Sequence, residues 1–418
     1  MFLLYVWERN SFSQEETPMK KPLILLILLL FVLNSCGQVF SSIVEKANMQ
    51  TSLFEEKMLG VDANYVTSMQ NFLFPWRYHF KKIEVYPFFH EKGINYFRLR
   101  IFVKEDGADS LPYAMNTATL VQEQGMKCSM TLFMSSDWSD IGKQPAPEPW
   151  NTLYDFSNLS LESKADIIRN YTKNTTHALL NNDIDADLYE IGNEIDYGFC
   201  GIFEQNLTRR ENISWMRNTT WMQAASLLKA GMEGVRSVDP TAAFILHIAH
   251  WWDYNFSAAF FTTMLEHEVP LDYLGLSFYP SSGIFNITLA YQGVGNGTLS
   301  QALFRQTTER LADTFDRPLI ISEYAYPSTS LILGPFSSFN HAVDGFPLTK
   351  QGQKAWLRDF LSWVDNHSFI AGTFYFSPEF HRLIWVSFCL FTFFGNAKPA
   401  VDIFEEFSSV NPKTNSAD

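Results

Sequence analysis

Two glutamates follow apolar runs at widely separated places in the chain. Tyr189-Glu190-Ile191-Gly192 leads into Asn193-Glu194, and Leu319-Ile320-Ile321-Ser322 leads into Glu323. In an α/β barrel, the residues just past an apolar run sit at the carboxyl end of a strand, where such folds place their chemistry. Taken singly, either glutamate could be a structural salt bridge or a loop hydrogen bond. As a pair they fit glycosidic bond cleavage, which requires two carboxyl groups across the scissile bond, about 5–5.5 Å apart for retention and wider for inversion. At the closer spacing the two charges raise one pKa enough for that group to serve as acid. Asn193, beside Glu194, could hydrogen-bond a sugar 2-hydroxyl. Arg98 and Arg100 lie two apart on a strand and so point to one face. Trp138, Trp251 and Trp252 could offer flat faces to sugar rings or simply pack. No His/Cys/Asp cluster shows metal-ligand spacing, so neither a metal nor a cofactor is expected.

These residues need a frame, and the chain supplies one. From about residue 57, short apolar runs alternate with longer amphipathic stretches, the pattern of repeated βα units around a parallel sheet. Eight strands are expected: Met58–Asp62, Tyr96–Val103, Cys128–Met134, Leu188–Gly192, Phe244–Ile248, Tyr273–Phe278, Leu319–Ser322 and Gly372–Phe376. Helices are expected over Leu161–Leu180, Trp221–Val235, Phe256–Leu265, Ser300–Phe315 and Lys350–Val364, each long enough for a crossover. Eight repeats predict a single (β/α)8 TIM barrel, in which the fourth and seventh strand ends face each other across the mouth. No Ser/Gly/Pro-rich linker or charge block interrupts residues 41–408, which read as one domain followed by a polar tail over 409–418.

Composition narrows the partners. Of 418 residues, 46% are hydrophobic, enough for a large core, and the formal net charge of −14 excludes a polyanionic partner such as nucleic acid. Residues 1–37 read as an address. Met19-Lys20-Lys21, an apolar run from Pro22 to Leu33 and Asn34-Ser35-Cys36-Gly37 have the layout of a secretory signal, too short for a membrane span of about 20 residues. Two cleavage readings stand: lipidation of Cys36 at a bacterial surface, or cleavage after Gly37 to release a secreted protein. Ten N-x-Ser/Thr sequons favour a eukaryotic secretory route and a glycoprotein, since about four would arise by chance. Past the signal only Cys128, Cys200 and Cys389 remain, allowing at most one internal disulfide.

Longer matches point to a family. Gly192-Asn193-Glu194 and Glu323 resemble the barrel clan of retaining glycosidases, and finer matches resemble its endo-β-1,4-galactanases, glycoside hydrolase family 53. Gly60-Val61-Asp62 is similar to the first strand of that family, and Gly93-Ile94-Asn95-Tyr96-Phe97-Arg98-Leu99-Arg100 to the second. Ser135 to Gln144 resembles the third-strand loop, and His247 to Asp253 the fifth. Leu276-Ser277-Phe278-Tyr279-Pro280 resembles the sixth strand, Glu323-Tyr324-Ala325-Tyr326-Pro327 the seventh, and Leu390 to Ala400 the closing segment. The resemblance implies hydrolysis of β-1,4-galactan by double displacement, with Glu194 as acid/base and Glu323 as nucleophile. Arg98 would keep Glu323 ionised and Tyr279 would hydrogen-bond it. Arg98, Asn193, Trp138, His247, Trp252 and Tyr279 are the expected substrate-binding set. Bacterial relatives hold calcium after the seventh strand, but Ser328 to Val343 contains no carboxylate, so none is expected here.

Two positions depart from the family pattern. Phe133 stands where the family usually has His near the end of the third strand, and Phe376-Ser377-Pro378 stands where it has Trp-Glu-Pro. Both are expected to touch the sugar near the cleavage point, so they bear on substrate more than on reaction type. A β-mannan or β-glucan is the alternative polymer, and a barrel that binds glycans without cutting them is the alternative class. The loop from Ser328 to Leu348 is long enough to reshape the cleft.

Overall fold

A computed structural model describes residues 56–282, 284–286, 292–294 and 297–408. The signal, Met19, Cys36 and the tail at 409–418 lie outside the described residues.

Eight parallel strands close into a barrel. They are β1 (Met58–Asp62), β2 (Tyr96–Ile101), β3 (Lys127–Leu132), β4 (Ala186–Ile191), β5 (Ala243–Ile248), β6 (Tyr273–Phe278), β7 (Leu319–Tyr324) and β8 (Ile370–Phe376). Each pairs with its sequence neighbours, and β1 closes on β8. Crossovers are made by α1 (Val85–Glu91), α2 (Leu111–Gln122), α3 (Leu161–Leu180), α4 (Met222–Arg236), α5 (Tyr254–Glu266), α6 (Gly297–Phe315) and α7 (Lys350–Asp365). A 3-10 helix, Pro399–Glu406, follows β8 in place of an eighth α-helix.

The sequence places all eight strands, and its misses are at the ends. The second and third strands stop two residues early, at Ile101 and Leu132. Helix α4 begins at Met222, because Arg217–Trp221 forms a π-helical turn ahead of it. Caps explain two starts that were legible. The Ser160 hydroxyl accepts from Ser163 N at 3.2 Å to open α3, and the Thr349 hydroxyl accepts from Gly352 N at 3.0 Å to open α7.

Two apolar cores result. The larger lies between strands and helices, and a smaller one gathers Met58, Leu188, Ile245, Tyr273, Ile320 and Phe374 inside the barrel. Side chains two apart on a strand share a face. The next inward residue after Tyr96 is Arg98, after Leu188 Glu190, and after Ile245 His247. A polar layer therefore rests on the apolar one, directly below the strand mouths. Cys128, Cys200 and Cys389 are buried free thiols.

Candidate active site

Glu194 is set by its own backbone and by the loop after β3. Gly192 has φ +87°, and a Cβ there would lie 2.6 Å from Ile195 Cγ2, so the turn out of β4 needs glycine. Glu194 itself has φ +46°, an uncommon conformation for a residue with a side chain and one that functional sites tend to retain. Gln144 holds this turn by donating from Nε2 to Asn193 O at 2.8 Å and Glu194 O at 3.0 Å. Ile141 N donates to Glu194 Oε2 at 3.3 Å, and the Ser277 hydroxyl lies 2.6 Å from Glu194 Oε1.

Glu323 sits where the barrel's register breaks. The β6–β7 ladder slips between Leu276 and Ser277, bringing Ser277 opposite Glu323. The β7–β8 ladder slips between Ile321 and Tyr324. Such irregularities re-aim a side chain next to an active site. Arg98 NH1 donates to Glu323 Oε1 at 3.1 Å and Tyr279 OH to Glu323 Oε2 at 2.8 Å.

The two carboxyl groups therefore live in different fields. Burial pushes Glu194 well above the usual carboxylate range, the charges of Glu323 and Asp140 push it further, and no cation among the described residues is ion-paired with it. Burial raises Glu323 too and leaves it above its usual range, with Arg98 the largest opposing pull. Both carboxyls stand above their usual range, Glu194 well above it and Glu323 restrained by Arg98, so of the two Glu194 has the surroundings that more strongly favour a proton.

Arg98 is the hub beneath them. Fully buried, it grips Glu190 with Nε (3.2 Å) and NH2 (2.5 Å), reaches Asp62 Oδ2 with NH1 (2.5 Å) and donates to Asn193 Oδ1 (2.7 Å). Desolvation would raise Glu190, but Arg98 and His247 hold it below its usual range. Nothing in the sequence reading singled out Glu190 or Asp62. The available signal was a charged residue within an apolar run, two positions from an inward-facing Leu188.

Above the carboxyls opens a cleft of about 570 Å³, lined by Glu194, Glu323, Ser277 and many rings. Trp138, Trp252 and Tyr279 line it as expected, and Trp251 contributes although only 3% exposed. Trp138 Nε1 donates to Asp140 Oδ2 at 2.9 Å, and Trp252 stacks on His250 with centroids 4.3 Å apart, so both rings are fixed. The loop after β7 supplies Pro335, Phe336 and Phe339, and Phe376 and Trp385 complete the wall.

Four residues expected at the sugar lie off the cleft surface. Arg98 and His247 are 0% and 1% exposed and do not line the cleft; Arg98 lies against Glu323, as the resemblance implies, and neither side chain reaches the cleft surface as a sugar contact would. Buried charge requires internal partners, and both side chains have them. Asn193 is likewise fully buried, with Oδ1 accepting from Arg98 and Nδ2 donating to Ser139 O at 3.0 Å. Phe133 also lines no part of the cleft. It is fully buried, with centroids 4.7 Å from Phe102 and 5.3 Å from Trp138, and can influence a sugar only through Trp138. Phe376 does line the cleft, as expected.

A parallel eight-stranded barrel with two buried carboxyl groups at its strand mouth has the design of the barrel glycosidases, and this chain is a glycoside hydrolase. It belongs to glycosyl hydrolase family 53, whose sequence profile matches residues 58–402. Among its relatives is arabinogalactan endo-β-1,4-galactanase A of Aspergillus niger, 25% identical over 295 residues, which span 68% of this chain and 74% of the relative. The endo-β-1,4-galactanase of Bacillus subtilis is 23% identical over 336 residues, 76% of this chain and 69% of the relative. The fold is shared with a family 53 catalytic domain from Ignisphaera aggregans, with a TM-score of 0.69, 22% identity and coverage of 84% of this chain and 96% of that one. A fungal β-1,4-galactanase structure matches with a TM-score of 0.67, 20% identity and coverage of 83% and 98%.

Proposed function

We propose that this chain is a retaining, endo-acting hydrolase of β-1,4-galactan, with Glu194 as general acid/base and Glu323 as nucleophile. The observation that carries the roles is the asymmetry of the pair: Arg98 and Tyr279 both donate to Glu323, while among the described residues no cation is ion-paired with Glu194. Glu323 attacks the anomeric carbon as Glu194 gives its proton to the leaving oxygen. Glu194 then takes a proton from the water that releases the sugar. Tyr279 and Arg98 hold the attacking oxygens in place, and the fixed faces of Trp138 and Trp252 receive sugar rings. The polymer assignment follows what the relatives are named for acting on.

The catalytic domain in this reading is 41–408, preceded by a removable signal and secreted. The sequon asparagines Asn158, Asn170, Asn174, Asn206, Asn212, Asn218, Asn255 and Asn366 are all exposed, as glycosylation requires. Lipidation at Cys36 is the alternative fate of the amino terminus.

One observation favours a broader substrate range than the relatives' names suggest. Phe376 in the cleft wall offers no N–H, and the loop after β7 adds Phe336 and Phe339, so apolar area outweighs hydrogen-bonding groups on that side. Incubation with linear β-1,4-galactan, β-mannan and β-glucans, followed by product separation, tests the assignment. Internal cleavage of galactan is expected, and mannan or glucan cleaved in its place would move the substrate while leaving the reaction type.

A further inference from the structure

From Glu190, beneath the strand mouths, to the candidate acid/base Glu194 runs a buried chain of hydrogen-bonding groups that the reaction described above does not use. Glu190 Oε1, already held by Arg98, lies 2.9 Å from His247 Nδ1. His247 Nε2 lies 2.8 Å from Ser277 Oγ, which lies 2.6 Å from Glu194 Oε1. Glu190, His247, Ser277 and Glu194 are all buried, at 0%, 1%, 2% and 8% exposed.

The donors and acceptors along this chain are constrained. Glu190 sits under Arg98 and is an ionised carboxylate, which can only accept. Nδ1 of His247 must therefore donate to it, and with one proton on the ring Nε2 is left as an acceptor toward Ser277. A serine hydroxyl has one proton. It can donate to His247 or to Glu194, but not to both.

We propose that Ser277, held by His247 and Glu190, is a positioning residue whose hydroxyl turns between His247 and Glu194 according to whether Glu194 carries its proton. The proposal rests on the reading of Glu194 as acid/base. With Glu194 protonated, its O–H donates to Ser277 Oγ, which donates to His247 Nε2, and the acid is held in one orientation. When that proton passes to the leaving oxygen, the Ser277 hydroxyl swings to donate to the new carboxylate and steadies it as a base. When Glu194 takes a proton from water, the hydroxyl swings back. The only protons transferred are those of the reaction itself, and nothing crosses His247.

Other charged groups set the balance without entering the chain. Glu323, Asp140 and Asp196 face Glu194, and all three oppose its ionisation. Arg98 NH2 stands 3.4 Å from His247 Nδ1. Among the described residues Ser277 supplies the hydroxyl that bonds Glu194, and Ala in its place removes a single oxygen from the end of β6.

The test is the pH profile of Ser277→Ala. A hydrogen bond to a carboxylate is worth more than one to its neutral acid, so losing the hydroxyl disfavours ionisation of Glu194. The alkaline limb of kcat/KM should move upward by about one pH unit, and kcat should fall more than KM changes. A limb unmoved from that of the unmodified enzyme would overturn the proposal. A second measurement needs no folded variant: the ¹⁵N resonance of His247 Nε2 in the unmodified protein should shift with the same midpoint as the alkaline limb, as its donor turns away. A resonance constant across that range would overturn it equally. Glu194→Gln separates the two readings. If that variant keeps full turnover, the acid/base assignment fails; if it is inactive while Ser277→Ala leaves the limb in place, only the Ser277 proposal fails.

Discussion

Arg98 is the residue that makes two glutamates unequal. It reaches Glu323 and not Glu194, so truncating each carboxyl should have a different chemical consequence. Glu194→Gln and Glu323→Gln are each expected to lower turnover on polysaccharide by several orders of magnitude, with circular dichroism unchanged. Aryl glycosides with good leaving groups need little protonation, so Glu194→Gln should form its glycosyl-enzyme on them while Glu323→Gln should not. Burst kinetics would read the difference, and equal, substantial polysaccharide activity in both variants would contradict the roles. The two glutamates and their strand-end positions were legible in the sequence, because an apolar run followed by a carboxylate is a local pattern. The partners were less so. Arg98 meets Glu190, Asp62 and Glu323 across separations of 36 to 225 residues, and only barrel closure brings these together. The sequence gives no distance between them, which is why Arg98, though expected beside Glu323, and His247 are also grouped there with the sugar contacts, while in the fold both lie buried beneath the cleft.

At the scale of elements, the strand ends matter more than the helices. Local periodicity marks eight strands and five of the seven α-helical crossovers, because side chains on each must face a core at fixed intervals. It does not mark the register slips at Ser277 and Glu323, which depend on neighbouring strands. Nor does it show which side of a strand end faces the cleft, and Phe133 illustrates the cost. If Phe133 were a lost sugar contact, Phe133→His would sharpen galactan preference. Packed between Phe102 and Trp138 with no exposed surface, it supports the expectation that His there buries a polar ring without a described partner. A penalty of about 1–3 kcal/mol follows. Thermal unfolding of Phe133→His should show a midpoint several degrees lower, with the galactan-to-mannan ratio of kcat/KM little changed. A stable variant with sharply higher galactan preference would restore the first reading.

For the molecule as a whole, acidity shapes stability as well as partners. Past β8, Glu379 is fully buried, accepts from Tyr65 N at 2.7 Å, and is pushed by burial from an ordinary 4.5 up to about 8. An acid whose folded pKa lies above its unfolded one favours the fold fully below about 4.5. Between there and 8 the unfolded chain releases the proton while the folded one keeps it, so stability falls as pH rises, by roughly 1.4 kcal/mol per unit of that difference. The unmodified protein should therefore lose more Tm between pH 5 and pH 8 than Glu379→Gln does; parallel curves would mean that Glu379 is ionised in the folded state. The most direct measurement for the whole reading returns to Glu323. An activated 2-deoxy-2-fluoro-β-galactoside should glycosylate one carboxylate and stall there, because fluorine slows both steps while the activated leaving group restores only the first. Mass spectrometry of a peptic digest should find the fluorosugar on the peptide containing Glu323, with the label lost in Glu323→Gln. A label on Glu194, or turnover that yields the α-anomer first with no label at all, would contradict retention through Glu323.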